Sequence, residues 1–322
     1  MRADRASRDE VHAGRAAGYP AAATEPPRCR MCGGAGTLLY PDCLDLEYFT
    51  TSDAAMYRCV ACTLVFLHPL PTREELAALY PANYYNFQAR RGALARFLFE
   101  RYHTRQAFLC MRHLGPEGAF LEVGCGDGGI LAKLRERGIA DVQGIEIASA
   151  GVEAARRKGL RVFHGTLEEF DTHDRFDMVF LSHVIEHVLD PGFAMRRVAE
   201  LLKPGGVVYV ETPNVGSLDG RLWASNWGLI HYPRHLYLFD PGTLRRLLEG
   251  AGLRVERSTF ELNSCGWALS IQHWLRKHGF DRARQPRSFY YNALLMLCLP
   301  LNLLDLLAGG TAFMGVIARK VT

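Results

Sequence analysis

No stretch of this sequence is apolar for long enough to cross a bilayer. The most apolar segment, 289–308, is broken by Pro300, Asn302 and Asp305 and falls short of the roughly 18 residues that a span requires. The first 28 residues are rich in Ala, Arg, Gly and Pro but have no apolar run, so they lack the core of a secretory signal and read as a disordered tail. Charge of one sign is scarce as well. Lys and Arg number 38 against 34 Asp and Glu, a net +4 over 322 residues, too little for bulk electrostatics to hold a nucleic acid. An even complement of cysteines is also missing. There are nine, four of them in two C-x-x-C pairs, which argues for reduced thiols and a metal rather than a disulfide frame, and for the cytoplasm. What remains is ordinary globular material, 48% hydrophobic and 22% charged, enough for one large α/β domain and a small accessory module.

The module is expected at 29–90. Cys29-Arg-Met-Cys32 and Cys59-Val-Ala-Cys62 are separated by 26 residues, and two such knuckles offer four thiolates in the tetrahedral arrangement that suits structural Zn²⁺. Four thiolates close the coordination sphere, so the site would staple a segment too small for its own core and leave no position for chemistry. Cys43 lies between the knuckles as a stand-in ligand without a C-x-x-C partner. Tyr80, Tyr84, Tyr85 and Phe87 follow, an aromatic cluster expected to pack the module onto the main domain. Residues 94–114 have helical apolar spacing.

The main domain, 91–264, is organised around Ala119-Phe-Leu-Glu-Val-Gly-Cys-Gly-Asp-Gly-Gly129. An apolar strand enters a glycine turn and the turn opens a helix, which brings backbone N–H groups close to a ligand with no Cβ between. Glu122 falls within what should be a buried parallel strand, where a carboxylate is costly unless a cation such as a ligand's amino group meets it. Glu146, 22 residues beyond Gly124, ends the strand 142–147 and can accept both hydroxyls of a ribose. Two nucleoside ligands satisfy this pattern. Gly124-x-Gly126-x-x-Gly129 is a dinucleotide fingerprint with Glu146 as its ribose acid. Glu122-x-Gly124-x-Gly126-x-Gly128 equally fits S-adenosylmethionine (SAM). The glycines alone leave the choice open.

From 119 onward strands and helices alternate, which implies a parallel sheet with right-handed crossovers. Ligands in such sheets lie beyond the strand carboxyl ends. Gly124, Gly126, Gly128, Glu146, Ile147, Thr166, Leu167 and Ser182 fall on that edge, Thr166 and Leu167 where an adenine ring would lie. His183-Val-Ile-Glu-His187 and Thr212-Pro-Asn214 fall there too.

Phe176-Asp-Met-Val, His183-Val-Ile-Glu-His187-Val…Asp190-Pro191, Lys203-Pro-Gly-Gly206, Thr212-Pro-Asn214, Trp227…Pro233-Arg-His235-Leu-Tyr-Leu-Phe239 and Thr243-Leu-x-x-Leu-Leu…Ala251-Gly252 together resemble a class I SAM-dependent methyltransferase of the methyltransferase-23 type over 119–256. The resemblance implies a doubly wound, mostly parallel seven-stranded Rossmann-like sheet, with SAM as cofactor. The double knuckle, with Tyr57, Tyr80, Tyr84 and Tyr85 around it, resembles the zinc-binding module of sugar C-methyltransferases, whose further C-terminal domain finds no room in this chain. An NAD(P)-dependent oxidoreductase would explain the glycines and none of the later motifs. A non-catalytic zinc-module binding protein would leave the histidines at the strand edge without a purpose.

Transfer of the SAM methyl is an in-line displacement. Positioning alone supplies up to ~7–11 kcal/mol of it, and a His near neutrality can remove the acceptor's proton. The candidates are His183, Glu186, His187, His231, Tyr232 and His235. The resemblance also implies a second arrangement, since related methyltransferases hold a divalent cation at the corresponding turn. Here the set would be His183, Glu186, His187 and His235, suited to Zn²⁺, Mn²⁺ or Fe²⁺ and poor for Mg²⁺. The acceptor is expected to be a small molecule, sugar, or glycan or lipid intermediate, methylated on oxygen, nitrogen or carbon. Residues 265–322 should complete the sheet, with 313–320 antiparallel beside 253–260. Between them, a basic loop at 276–287 and the apolar 289–308 read as core, lid or homodimer face, or as a peripheral contact with the inner face of a membrane.

Overall fold

The computed structural model describes residues 25–80, 93–283 and 285–321. Most of the expected tail at 1–28 lies outside them, as do Tyr84, Tyr85, Phe87 and Arg284.

The chain begins with an antiparallel ladder of β1 (Gly36–Tyr40), β2 (Ala55–Cys59) and β3 (Val65–His68). Helices α1 (Arg73–Ala78) and α2 (Ala93–Met111) lead to the alternating unit. There β4 (Phe120–Val123), α3 (Gly129–Arg135), β5 (Val142–Glu146), α4 (Ser149–Arg157), β6 (Arg161–His164), β7 (Phe176–Ser182), α5 (Pro191–Leu201) and β8 (Leu202–Pro213) follow in order. After α6 (Leu218–Trp223) come β9 (Tyr237–Leu238), α7 (Pro241–Gly250), β10 (Leu253–Glu261), α8 (Cys265–Lys277), α9 (Tyr291–Leu297), α10 (Leu301–Leu307) and β11 (Phe313–Lys320).

Seven strands form one sheet in the order β10-β11-β8-β7-β4-β5-β6. Every pairing from β8 to β6 is parallel, and β11 enters antiparallel between β10 and β8. This is the class I methyltransferase sheet that the motif series implies. The central strands are apolar on both faces, as a sheet covered on both sides demands. Phe120, Met178, Phe180 and Tyr209 pack toward α3 and α4; Leu121, Val123, Val179, Leu181 and Val210 pack into the opposite layer. Strand order reverses between β4 and β7, and at such a switch point the carboxyl ends part to leave a crevice.

The N-terminal ladder does not close on itself. Its fourth strand is β9, from the far side of the main domain, paired antiparallel with β3 through Val65–Leu238 and Phe66–Tyr237. Met56, Leu64, Phe66 and Leu67 accordingly share one apolar cluster with Leu236, Tyr237 and Phe239. The joint is locked by Arg234. Its guanidinium is fully buried and meets both oxygens of Asp45, at 2.8 and 3.0 Å; it also donates to the Leu79 and Tyr232 carbonyls and lies 4.6 Å over the Tyr48 ring.

A buried pair of this kind depends on both members, because one charge left alone in the interior has no water to solvate it. Burial pushes the Asp45 carboxyl up, but Arg234 and Thr50 hold it below its ordinary value of 3.8. The stability that this carboxylate adds is therefore present above that value and is lost as pH falls through the lower, folded one. Arg234→Leu should cost about 3–5 kcal/mol in urea denaturation at pH 7; a loss below about 1 kcal/mol would mean that the pair does not hold the joint.

Candidate active site

The crevice begins at the loop after β4. Gly124, Gly126 and Gly128 all have positive φ, at 71, 54 and 71°, where glycine carries no penalty. Their surroundings differ. A Cβ on Gly124 would come 2.6 Å from Val184, and one on Gly128 would come 2.4 Å from Leu160, so these two allow close packing. A Cβ on Gly126 would meet nothing within 4 Å among the described residues. It would project into the open crevice where a ligand must lie. Gly129, the third glycine of the dinucleotide fingerprint, instead lies beneath the His103 ring.

Two carboxylates flank this loop. Glu146 accepts from the Gly126 N–H at 2.7 Å and the Ala148 N–H at 2.8 Å, which fixes the carboxylate while each oxygen keeps a lone pair for a ribose hydroxyl. Glu122 is buried and its Oε2 has no hydrogen-bond partner. Burial, with Asp127 and Glu146 nearby, raises its carboxyl well above the usual range. A ligand ammonium would supply the missing charge and donor, so the residues present fit the amino-acid end of SAM. Ile147 projects its side chain at 65% exposure at the end of β5, while Leu167 is buried. The Thr166 N–H and hydroxyl both turn to Glu169.

The far wall is a hydrogen-bonded cluster after β7 and β8. His183, itself at φ 55°, lies with Nδ1 3.3 Å from Glu186 Oε1 and Nε2 3.2 Å from Glu211 Oε1. Burial alone would lower the imidazole, but these two carboxylates raise it to about 10. Both ring nitrogens of His183 thus face a carboxylate oxygen, an arrangement that favours the protonated ring over a free base or a metal ligand. Glu211 also accepts from Tyr209, Gln106 and Ser182, and Ser182 is 3.0 Å from the Tyr102 hydroxyl. Glu211, Tyr102 and Gln106 were not singled out in the sequence, although an acid at the end of the apolar run Val207–Val210 poses the same problem of a buried charge as Glu122.

His187 and His235 differ from His183. His187 Nδ1 donates to the Arg234 carbonyl at 3.0 Å, with the Tyr80 hydroxyl oxygen also 3.0 Å away. His235 Nδ1 donates to the Leu229 carbonyl at 2.9 Å. Both rings therefore present a bare Nε2, their centroids are 4.7 Å apart, and burial lowers His187 to about 4 and His235 well below its ordinary value. Glu186, fully buried and accepting from Thr212 Oγ1 at 2.9 Å, completes a trio whose ligand atoms lie within 4.8 Å of one another.

Tyr232 and His231 bond toward the module, although the His231 ring lies only 5.0 Å from that of His235. The Tyr232 hydroxyl lies 2.8 and 2.7 Å from the Ser52 and Ala54 carbonyl oxygens, which ties its phenol to the joint. His231 is held between Glu47 and Arg234.

At the other end of the joint, Cys29, Cys32, Cys59 and Cys62 place their sulfurs within 4.8 Å of one another, with 3.7 Å for Cys29–Cys62 and 3.4 Å for Cys32–Cys59. Tetrahedral Zn–S bonds near 2.3 Å put sulfurs ~3.8 Å apart, so the quartet could hold such an ion. Gly34 sits against it, where a Cβ would come 2.9 Å from Cys59 Sγ. Cys43 is outside the quartet, beside the Tyr40 carbonyl.

A family model described as a methyltransferase domain matches residues 94–258. The ubiquinone biosynthesis O-methyltransferase of Rhodopseudomonas palustris is 31% identical over 215 residues, 61% of this chain and 80% of the relative. That of Azorhizobium caulinodans is 33% identical over 148 residues, 42% of this chain, and the chain spans 58% of its length. Among solved structures, a SAM-dependent methyltransferase from Archaeoglobus fulgidus aligns over 70% of this chain and 99% of that one, with 21% identity and a TM-score of 0.47. Glu122→Gln should weaken SAM binding by about tenfold or more in isothermal titration while leaving thermal stability equal or higher; unchanged affinity would remove Glu122 from the cofactor site.

Proposed function

The chain belongs to the methyltransferase-domain family and is a SAM-dependent methyltransferase, and from this we propose that it methylates a hydroxyl oxygen of a small-molecule acceptor at the Glu186–His187–His235 trio. In the transfer, the acceptor oxygen attacks the methyl carbon as the carbon–sulfur bond breaks, S-adenosylhomocysteine leaves, and the hydroxyl gives up its proton. The trio's location beyond β7, across the crevice from the glycine loop, suits the acceptor's side of that displacement. The relatives' printed names, which are those of O-methyltransferases, favour oxygen over the sugar carbon expected from the module alone.

The observation that carries this reading is the convergence of two histidines and one carboxylate whose ligand atoms all lie within 4.8 Å of one another. Each ring is aimed by an Nδ1–H bond to a backbone carbonyl, the support that metal-ligating histidines commonly have. Two neutral imidazoles and a carboxylate fit Zn²⁺, Mn²⁺ or Fe²⁺ better than Mg²⁺. Such an ion, when bound, would polarise the acceptor hydroxyl and ease loss of its proton. His235 and His187 orient the acceptor's oxygen, Glu186 fixes their spacing, and Thr212 fixes Glu186. The same bare nitrogens favour a second reading, a metal-free histidine base. For the cysteine quartet we propose a structural zinc that holds the knuckles as a fold staple.

Dialysis against EDTA separates these roles. One zinc per chain should survive and be lost in Cys59→Ser with a lower Tm, while methyl transfer to a catechol-type acceptor should fall and return with Mn²⁺ or Zn²⁺. Full activity after dialysis, with His235→Ala inactive, would assign the trio to base catalysis instead.

A further inference from the structure

The last helix before β11 is turned inside out. In α10, Asn302 and Asp305 are buried, whereas Leu303, Leu304 and Leu307 are exposed, Leu307 at 86%. Leu303 and Leu304 are the i,i+4 and i,i+3 neighbours of Leu307, so the leucines form a common outward stripe. The helix cannot roll to bury them. Asp305 accepts from Trp267 Nε1 at 2.8 Å and from the Asp219 N–H at 3.3 Å, and releasing either would strand a buried polar group. Met296, Leu297 and Leu299 extend the exposed apolar surface into α9, and Phe289 ahead of it is 98% exposed. Isolated surface leucines need no explanation, but a contiguous set on consecutive helices calls for a partner.

Along the stretch of chain that carries this face, the exposed charges have one sign. Between 262 and 312 the carboxylates of the described residues are Asp281 and Asp305. Asp281 is turned inward to Arg276, Ser288 and Tyr290, and Asp305 is buried. Lys277 and Arg282 are exposed in the same stretch, and exposed Arg221 joins them through its bond to the Ala308 carbonyl, at 3.3 Å. A second copy meeting this face across a two-fold axis would set cation against cation. An anionic lipid surface offers both an apolar boundary for the leucines and phosphates for the cations.

We propose that α9, α10 and the loop before them dock on an anionic membrane surface. The proposal is independent of the acceptor assignment. The full chain should co-sediment with phosphatidylcholine vesicles containing about a third phosphatidylglycerol, and not with phosphatidylcholine alone, with weaker binding at high salt. Leu303→Glu/Leu307→Glu should reduce the bound fraction by roughly tenfold with an unchanged melting curve, since both side chains are outside the core. Three results would overturn the proposal: no pelleting with the anionic vesicles, wild-type binding by the double variant, or a dimer in sedimentation equilibrium that the double variant dissociates without any vesicle binding.

Discussion

The bidentate pair between Arg234 and Asp45 is the constraint on which the rest of this structure depends. Its guanidinium end is buried in the cysteine-bearing module, while its backbone carbonyl, a few bonds away, accepts the Nδ1–H of His187. One residue thus links the position of the module to that of the His187 ring. The segment around it is fixed from both sides. Leu236 and Tyr237 donate their N–H groups to the Glu186 carbonyl, and the Leu67 N–H donates to the Leu236 carbonyl. The module is therefore built into one wall of the active site rather than attached beside it. In this arrangement the cysteine quartet lies in the module that Arg234 ties to His187.

Electrostatics divides the crevice into two ends. Glu122 and Glu146 stand at the glycine-loop end, and Glu186 and Glu211 at the other. At the far end His183 is clamped between two of the acids, while Lys158 acts at the glycine-loop end. A surplus of buried carboxylate is expensive unless cations arrive, and SAM brings two, the ammonium and the sulfonium. The unsatisfied Glu122 oxygen is the polar atom that a ligand ammonium would satisfy. His187 and His235 stay neutral for the opposite reason, since burial disfavours their charged forms.

Much of this was readable from the chain alone where the relevant physics is local. Alternating apolar strands and helical stretches dictate the parallel sheet, and the glycine spacing dictates a turn with positive φ at 124, 126 and 128. The four cysteines announce their quartet by spacing. What could not be read depends on partners far apart in sequence. Of the two carboxylates on His183, Glu186 is local in sequence, but Glu211 comes from the next strand over. Tyr232 resembles a catalytic phenol until the Ser52 and Ala54 carbonyls are seen against it. That β9 completes the N-terminal ladder follows from tertiary packing, as two residues of strand carry no periodicity. The face of α10 was illegible for a related reason: its composition gives leucines and two polar residues, and only contacts with Trp267 and Asp219 decide which side is buried.

The coupling of module to active site has a direct spectroscopic signature. Long-range ¹H–¹⁵N correlation spectra of the histidine rings at pH 7 should show His187 and His235 as neutral Nδ1–H tautomers with unprotonated Nε2, and His183 protonated on both nitrogens. In Asp45→Asn the His187 ring should lose its single tautomer as the Arg234 carbonyl moves. Nε2–H tautomers in the wild-type chain, or a His187 signal indifferent to Asp45, would contradict a shared wall between the cysteine module and the site of methyl transfer.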